Sequence, residues 1–384
     1  ELPGRRLQHE HSMVVIRDAP LQLDPGRGVA AGLLRFYMPD HPNESSAADL
    51  ARTDEALALP EAAPDEAPPG VTGAAAAASA ATLFSSSPLL AACDLDAAQL
   101  HELFAGPWRH EELDGRGERL SFFHGTDAHV VLRAKELRVQ RPHGRLLRSG
   151  RHLTPAETAL TSTAWMDGVF HSMVAQGHVS INRVLSTVRG YLGLFRAYGQ
   201  RVFAELGGRW QLLDLPSAFE MSTDACRWLY RHEHGLLEVH AGTRSDPHAL
   251  TLSITVLAGE PVRLLITHHV ALNGDDGAAP GAVQWRRAGE AIIVTPAAGS
   301  ELSRRFPDGK VYLEPATGTV LERVGGDELL FADGHSRGQP YLCLLLAPSA
   351  SAGLSIRPQL IGAETQSPQI LEPGAALAPA LTLA

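Results

Sequence analysis

Apolar and polar positions alternate most clearly late in the chain, where Leu250, Leu252, Ile254 and Val256 are separated by Thr251, Ser253 and Thr255. Such alternation places one face of a strand in a core and the other in water. Gly259-Glu260-Pro261 then turns the chain into a second apolar run over residues 262–270. Three hairpins are written around glycine turns. Residues 201–206 and 210–213 flank Gly207-Gly208, residues 226–231 and 236–240 flank His234-Gly235, and residues 283–286 and 291–294 flank Ala288-Gly289. Residues 128–133, 136–140, 310–313, 328–331 and 341–346 add further predicted strands, and two short runs at 13–17 and 33–37 open the chain. Many short strands punctuated by Gly, Pro and Asp belong to a sandwich or barrel, not to an alternating α/β fold. The expected fold is therefore mainly β, an antiparallel β-sandwich with a few short helices.

The stretch 39–88 breaks this pattern, being rich in Ala, Pro, Ser and Glu and almost without aromatics. Residues 46–59 suit a helix starting near Ser46 or Asp49, which the prolines of 60–70 cannot continue, because proline lacks the amide donor and clashes with the preceding turn. An alanine run follows at 74–81, and the whole segment reads as a weakly structured insertion or linker. Residues 94–104 suit a short helix capped by Asp94, and residues 350–384, poor in charge and rich in Ala, Pro and Leu, read as a closing linker. The domain map expected from these shifts is the end of a β region over 1–38, a linker with short helices over 39–105, the sandwich over 106–361 and a linker over 362–384.

Composition narrows the function class. A chain of 384 residues with 44% hydrophobic positions can bury one large core or two ordinary ones. The formal net charge is −10, with Lys and Arg scattered, so no basic stripe offers itself to nucleic acid. No apolar run approaches the roughly 18–20 residues of a membrane span. Cys93, Cys226 and Cys343 are distant and odd in number, which suits a reducing compartment, the cytoplasm, better than a disulfide framework. The first residue is Glu1 and no signal peptide precedes it, so the chain reads as a portion of a longer polypeptide.

Candidate chemistry is thin. His9-Glu10-His11 and His232-Glu233-His234 put two imidazoles on one face of a strand, but neither has a predictable third ligand, and solvated faces are the preferred reading. Residues 273–277 and Asp333-Gly334 read as polar turns; the first lacks the later acidic ligand a calcium loop needs. Trp210, Trp228 and Trp285 lie in or beside strands and read as core. Residues 161–182 are denser, holding Trp165, Asp167, His171, Gln176, His178 and Asn182. A flat aromatic with carboxylates and amides suits a sugar, while the competing reading makes the aromatics core and the polar groups partners of backbone ends. Arg141-Pro142-His143-Gly144 is a compact turn that either aims Arg141 and His143 into a cleft or closes a loop. There is no Gly-rich phosphate cradle, no nucleophile elbow and no singled-out carboxylate pair for glycosidic chemistry. The expected site is a substrate-binding one, Trp165, Asp167, His171, Arg141 and His143, with no catalytic residue, no metal and no cofactor.

The block Thr161-Ser162-Thr163-Ala164-Trp165-Met166-Asp167-Gly168-Val169-Phe170-His171-Ser172 resembles one found in the 1,2-β-oligoglucan phosphorylases, a branch of glycoside hydrolase family 94. Arg141-Pro142-His143-Gly144 precedes it in the same order, and Gly199-Gln200-Arg201-Val202-Phe203, Pro216-Ser217-Ala218-Phe219-Glu220-Met221, Thr267-His268-His269-Val270-Ala271-Leu272-Asn273 and Arg304-Arg305-Phe306-Pro307 follow it. The resemblance covers roughly residues 106–361. It implies a galactose-mutarotase-like super-sandwich from an enzyme that cleaves β-1,2-glucooligosaccharides with inorganic phosphate, its co-substrate, releasing α-glucose 1-phosphate with inversion. It also implies that the general acid and phosphate site lie in an (α/α)6 barrel following the sandwich. The tract Trp-Gly-Thr-Arg-Asp, associated with that catalytic part, appears nowhere in this sequence, so no catalytic residue carries over. The implied partners are the β-1,2-glucooligosaccharide, the barrel of the same polypeptide and a second copy in a homodimer. Two further readings stay open: the equivalent module of a membrane cyclic β-1,2-glucan synthase, and a stand-alone carbohydrate-binding module.

Overall fold

The computed structural model describes residues 47–60, 81–139, 141–150, 154, 156–177, 182–190, 193–273, 281 and 283–361. The chain divides into two compact units, residues 1–80 and 81–384. In the first, a 3-10 helix, Ala47–Arg52, runs into helix α1, Thr53–Leu57, where a helix over 46–59 is predicted. The runs at 13–17 and 33–37, the His9-Glu10-His11 triplet, the alanine run and His178 lie outside the described residues, as do 274–277 and 362–384.

The second unit is a sandwich of two antiparallel sheets. In chain order its strands are β1 (Arg109–Leu113), β2 (Arg119–His124), β3 (Ala128–Leu132), β4 (Gly144–Arg148), β5 (Leu160–Trp165), β6 (Val169–Gln176), β7 (Arg189–Gly190), β8 (Gly193–Leu194), β9 (Gln200–Leu206), β10 (Arg209–Leu212), β11 (Ala218–Met221), β12 (Ala225–His232), β13 (Gly235–Ser245), β14 (His248–Ala258), β15 (Val262–His269), β16 (Gln284–Ala288), β17 (Ala291–Thr295), β18 (Lys310–Pro315), β19 (Leu321–Gly325), β20 (Tyr341–Ser349) and β21 (Ser351–Gln359). The large sheet runs β1-β2-β3-β11-β12-β13-β14-β21-β18-β17-β16, and the small one β19-β20-β15-β9-β6-β5-β4, with β10 on β9; β7 and β8 pair apart. The three predicted hairpins are present as β9–β10, β12–β13 and β16–β17. The turn at 259–261 does more than reverse the chain: it carries it from β14 in the large sheet to β15 in the small one.

The core sits between the sheets. Leu250, Leu252 and Ile254 of β14 point into it, as their alternation predicts, and meet Val202 and Ala204 of β9, Leu264 and Ile266 of β15 and Leu342, Leu344 and Leu346 of β20. Trp228 is wholly buried there, edge-on to Phe170 at 4.9 Å. Its indole N–H donates to the Trp165 carbonyl at 3.1 Å, so the aromatic body is buried without leaving its polar end unpaired. Trp210 and Trp285 are partly buried against the apolar clusters. No helix of the described residues is long and apolar enough to cross a membrane.

Four expectations need correction. Residues 136–139 do not form a strand: helix α4, Arg133–Glu136, ends there, and the buried Glu136 carboxylate accepts the His143 amide at 3.0 Å. Residues 328–331 are not a strand either. Residues 328–330 belong to a 3-10 turn, Asp327–Leu330, and Phe331 makes an isolated bridge to Thr82; the buried Asp327 carboxylate holds the turn by accepting the amides of Arg337 at 2.8 Å and Gln339 at 3.0 Å. Such side-chain bonds to nearby backbone displace a ladder. The tract from residue 350 is not linker at its start. β21, Ser351–Gln359, lies inside the large sheet between β14 and β18, burying Ala352, Leu354 and Ile356; its small and polar alternate residues disguise it. The linker tract also ends well before residue 105. Helix α2, Leu83–Ser86, sets Phe84 against Phe203 at 5.0 Å, and Leu90 donates its amide to the Leu212 carbonyl at 2.8 Å, continuing the sheet.

Helix α3, Ala97–Leu103, is capped by Asp96, not Asp94. The Asp96 carboxylate accepts from the Gln99 amide at 2.9 Å, and the Gln99 side chain accepts from the Asp96 amide at 3.1 Å, a capping box. Asp94 faces Arg133 instead, at 3.5 Å. The cap aims Leu100 at a second apolar cluster with Phe104, Phe122 and Leu229 on the outer face of the large sheet. Asp96→Ala is expected to cost about 1 kcal/mol in denaturant unfolding and Asp94→Ala much less; the reverse order would contradict the cap.

Candidate substrate-binding site

The block 161–172 is the β5–β6 hairpin, and its turn carries Asp167, which lines a pocket. β4 runs beside β5 with Gly144 opposite Trp165. The indole covers that glycine so closely that a Cβ there would lie 2.4 Å from Trp165 Cε3. Arg189 sits over the same ring, 5.1 Å from its centroid. Beyond Trp165 the chain turns through Met166, Asp167 and Gly168, with the Met166 amide donating to the His143 carbonyl at 2.8 Å and the Gly168 amide to the Met166 carbonyl at 2.7 Å. Gly168 has φ +69°, and a Cβ on it would lie 2.1 Å from the Leu213 carbonyl oxygen. Only glycine lets this turn press onto residues 213–214, and that contact brings Asp167 beside Asp214.

The result is a pocket of about 510 Å³ whose polar lining is Arg133, Glu136, Asp167, Arg196 and Asp214, with an apolar wall from residues 89–92. Each charge except two is held from behind. Glu136 is buried, accepting the His143 amide and pairing with His143 Nδ1 at 2.5 Å. Asp214 pairs with Arg201 at 3.3 Å. Arg201 is fully buried and donates also to the Arg196 carbonyl at 2.9 Å. Burial lowers the Arg201 pKa, and the charges of Asp214 and Asp167 work to hold it up. Tyr230 donates its hydroxyl to the Asp214 carbonyl at 3.1 Å. Asp167 is different: burial, then the charges of Asp214 and Glu136, push its carboxyl up to about 6, against the pull of Arg201 and Arg196.

The predicted set is thus dispersed. Asp167 lines the pocket, and His143 stands behind it through Glu136. Trp165 flanks the turn with its ring occupied by Gly144 and Arg189. Arg141 is exposed and does not line the pocket. His171 is wholly buried in the sandwich, its Nδ1 accepting from Ser162 Oγ at 3.0 Å and its Nε2 donating to the Thr251 carbonyl of the opposite sheet at 3.0 Å. Burial lowers its pKa to about 4. Gln176 and Asn182 likewise bond backbone, Gln176 accepting from the Leu360 amide at 2.8 Å and Asn182 donating to the Gln176 carbonyl at 3.0 Å. Glu136, Arg196, Arg201 and Asp214 were not singled out from the sequence. Arg201 had a signal: a lone cation inside the apolar strand Val202-Phe203-Ala204 must find a buried anion. Among the described residues no group of three or more His, Cys, Asp or Glu is placed to hold a metal ion, the His232–His234 pair included.

Residues 106–357, two sheets and hairpin included, match the family model of the glycoside phosphorylase supersandwich domain. The chain belongs to that family. Over 170 residues, 44% of the chain, it is 31% identical to a 1,2-beta-oligoglucan phosphorylase of Listeria innocua serovar 6a. The match spans 16% of that relative's length. Among solved structures, the 4-alpha-glucanotransferase of Thermococcus litoralis aligns over 58% of this chain and 40% of its own, at 10% identity and a TM-score of 0.30, too low a likeness to bear on this supersandwich.

Proposed function

We propose that this chain is the non-catalytic sandwich portion of a cytoplasmic, inverting glycoside phosphorylase that converts β-1,2-glucooligosaccharides and phosphate to α-glucose 1-phosphate. The observation that carries the reading is the 31% identity to a 1,2-beta-oligoglucan phosphorylase, beside the match of residues 106–357 to the glycoside phosphorylase supersandwich. The pocket supports a supporting rather than a catalytic part. Inverting phosphorolysis needs an acid at the leaving oxygen and a cationic cradle for phosphate on the opposite face of the sugar. Here the cations are largely committed: Arg201 is buried on Asp214 and Arg133 faces Asp94, while three carboxylates on the lining repel phosphate. The acid and the phosphate site are then supplied by the rest of the polypeptide, against which the sandwich packs, with a second copy as a further partner.

The 384-residue chain, incubated with sophorose-type oligosaccharides and phosphate, is expected to release no α-glucose 1-phosphate above background. The longer polypeptide containing it is expected to release it readily. Turnover by the chain alone would refute the division of labour, and failure of the longer polypeptide on β-1,2-linked substrates would refute the substrate.

A further inference from the structure

Two charges in the pocket stand apart from the rest. The Asp167 carboxylate and the Arg196 guanidinium both line it, yet neither makes a hydrogen bond or an ion pair with any described residue, nor with the other. Their neighbours are satisfied: Glu136 by His143, Asp214 by Arg201, Arg133 by Asp94. A carboxylate only accepts and a guanidinium only donates. A ligand that satisfies both must present donors and acceptors side by side. A lone cation would serve Asp167 and be repelled by Arg196. A lone anion would serve Arg196 and meet Glu136, Asp167 and Asp214. A pair of neighbouring sugar hydroxyls does both, because each hydroxyl donates through its proton and accepts through its oxygen.

Size and walls agree with such a ligand. The volume of about 510 Å³ falls within the range of small-molecule sites, roughly 300–1,000 Å³, and suits one or two hexose rings. Leu89, Leu90, Pro142 and Leu215 offer apolar surface to the C–H faces of a ring. Among the described residues no aromatic ring lines the pocket, so the grip they offer is charge-assisted hydrogen bonding and not stacking. We propose that this pocket is a non-catalytic hexose subsite in which Asp167 and Arg196 together hold a vicinal pair of hydroxyls. The subsite rests on the reading of the chain as part of a β-1,2-glucooligosaccharide phosphorylase and adds to it a place where sugar units remote from the reacting bond are held.

The test is calorimetric titration of the 384-residue chain with sophorose, cellobiose and, as a zwitterion with the same charge complement, free alanine. Sophorose is expected to bind. Asp167→Ala and Arg196→Ala are each expected to weaken it by about tenfold or more, as loss of a hydrogen bond to a charged group does, with no loss of thermal stability. Asp167→Asn replaces Asp167→Ala if the alanine variant does not fold. The subsite is overturned if sophorose and cellobiose both fail to bind at millimolar concentration, if they bind with affinities indifferent to both substitutions, or if alanine alone binds. Binding of cellobiose in place of sophorose, with the same dependence on Asp167 and Arg196, keeps the hexose subsite and counts instead against the β-1,2 substrate.

Discussion

Gly168→Val is expected to destabilise the sandwich by about 3 kcal/mol or more. Two costs coincide at this position. The backbone is left-handed, at φ +69°, where an L side chain costs roughly 1–2 kcal/mol. In addition, a Cβ would sit 2.1 Å from the Leu213 carbonyl oxygen and 3.0 Å from Asp214 Cα, so backbone rather than a pliable side chain must move. Gly334 separates the two costs: it has nearly the same backbone, φ +67°, but nothing within 4 Å of its virtual Cβ. Gly334→Ala should therefore lose only about 1 kcal/mol. Guanidinium unfolding of both variants beside the parent chain gives the comparison. Equal losses would mean that the close approach of the Met166-Asp167-Gly168 turn to residues 213–214 does not hold in solution, and the juxtaposition of Asp167 with Asp214 would go with it.

That turn also marks how far the sequence could be read. The Asp-Gly step after Trp165 is a local signal, and the block around it is what carries the resemblance to the phosphorylases. What the turn touches is set by residues dozens of positions away, at 213–214, and no local pattern announces them. Hairpins with glycine turns were legible because register follows from the turn itself. β21 was not, because Ser351, Gly353, Ser355 and Arg357 fill its alternate positions and a Pro stands near its end, a composition usual for a loop. The expected strand at 136–140 failed for a tertiary reason. Its apolar alternation, Leu137 and Val139, faces the pocket, while Glu136 leaves the pattern to hold His143. His171 shows the opposite error: a residue type suited to chemistry, in a block dense with such types, spends both ring nitrogens tying one sheet to the other.

Lowering the pH from 7 to 4 is expected to remove several kcal/mol of stability, and the buried histidines are the reason. His171 and His268 are both fully enclosed, and burial takes each from the ordinary 6.5 down to about 4. Each ring uses both nitrogens as a neutral imidazole does. His268 Nδ1 donates to the Leu342 carbonyl at 3.2 Å, and its Nε2 meets the Gln200 amide at 3.0 Å. A folded pKa below the unfolded value means that the unfolded chain binds more protons, so stability is fully present above about pH 6.5 and is lost as pH falls towards 4. At pH 4 each histidine contributes a loss of about 3 kcal/mol. Asp167 acts in the opposite sense. Its folded pKa is raised from 3.8 to about 6, so its ionisation weakens the fold as pH rises through that window, and acid returns about 2 kcal/mol by pH 4. The histidines outweigh it, and net destabilisation follows. The two groups are separable by substitution. Asp167→Asn should stabilise the chain at pH 7 and have almost no effect at pH 4. His171→Gln, which keeps a polar side chain between Ser162 and the Thr251 carbonyl, should remove about 3 kcal/mol from the acid loss, which is most of the net limb. Denaturant midpoints measured from pH 4 to pH 8 for the three proteins decide the matter. An acid limb unchanged by His171→Gln would show that the ring titrates freely and is not enclosed between the sheets. A destabilising Asp167→Asn at pH 7 would show that the Asp167 carboxylate has a partner in the fold, and would withdraw the ground for placing a sugar hydroxyl there.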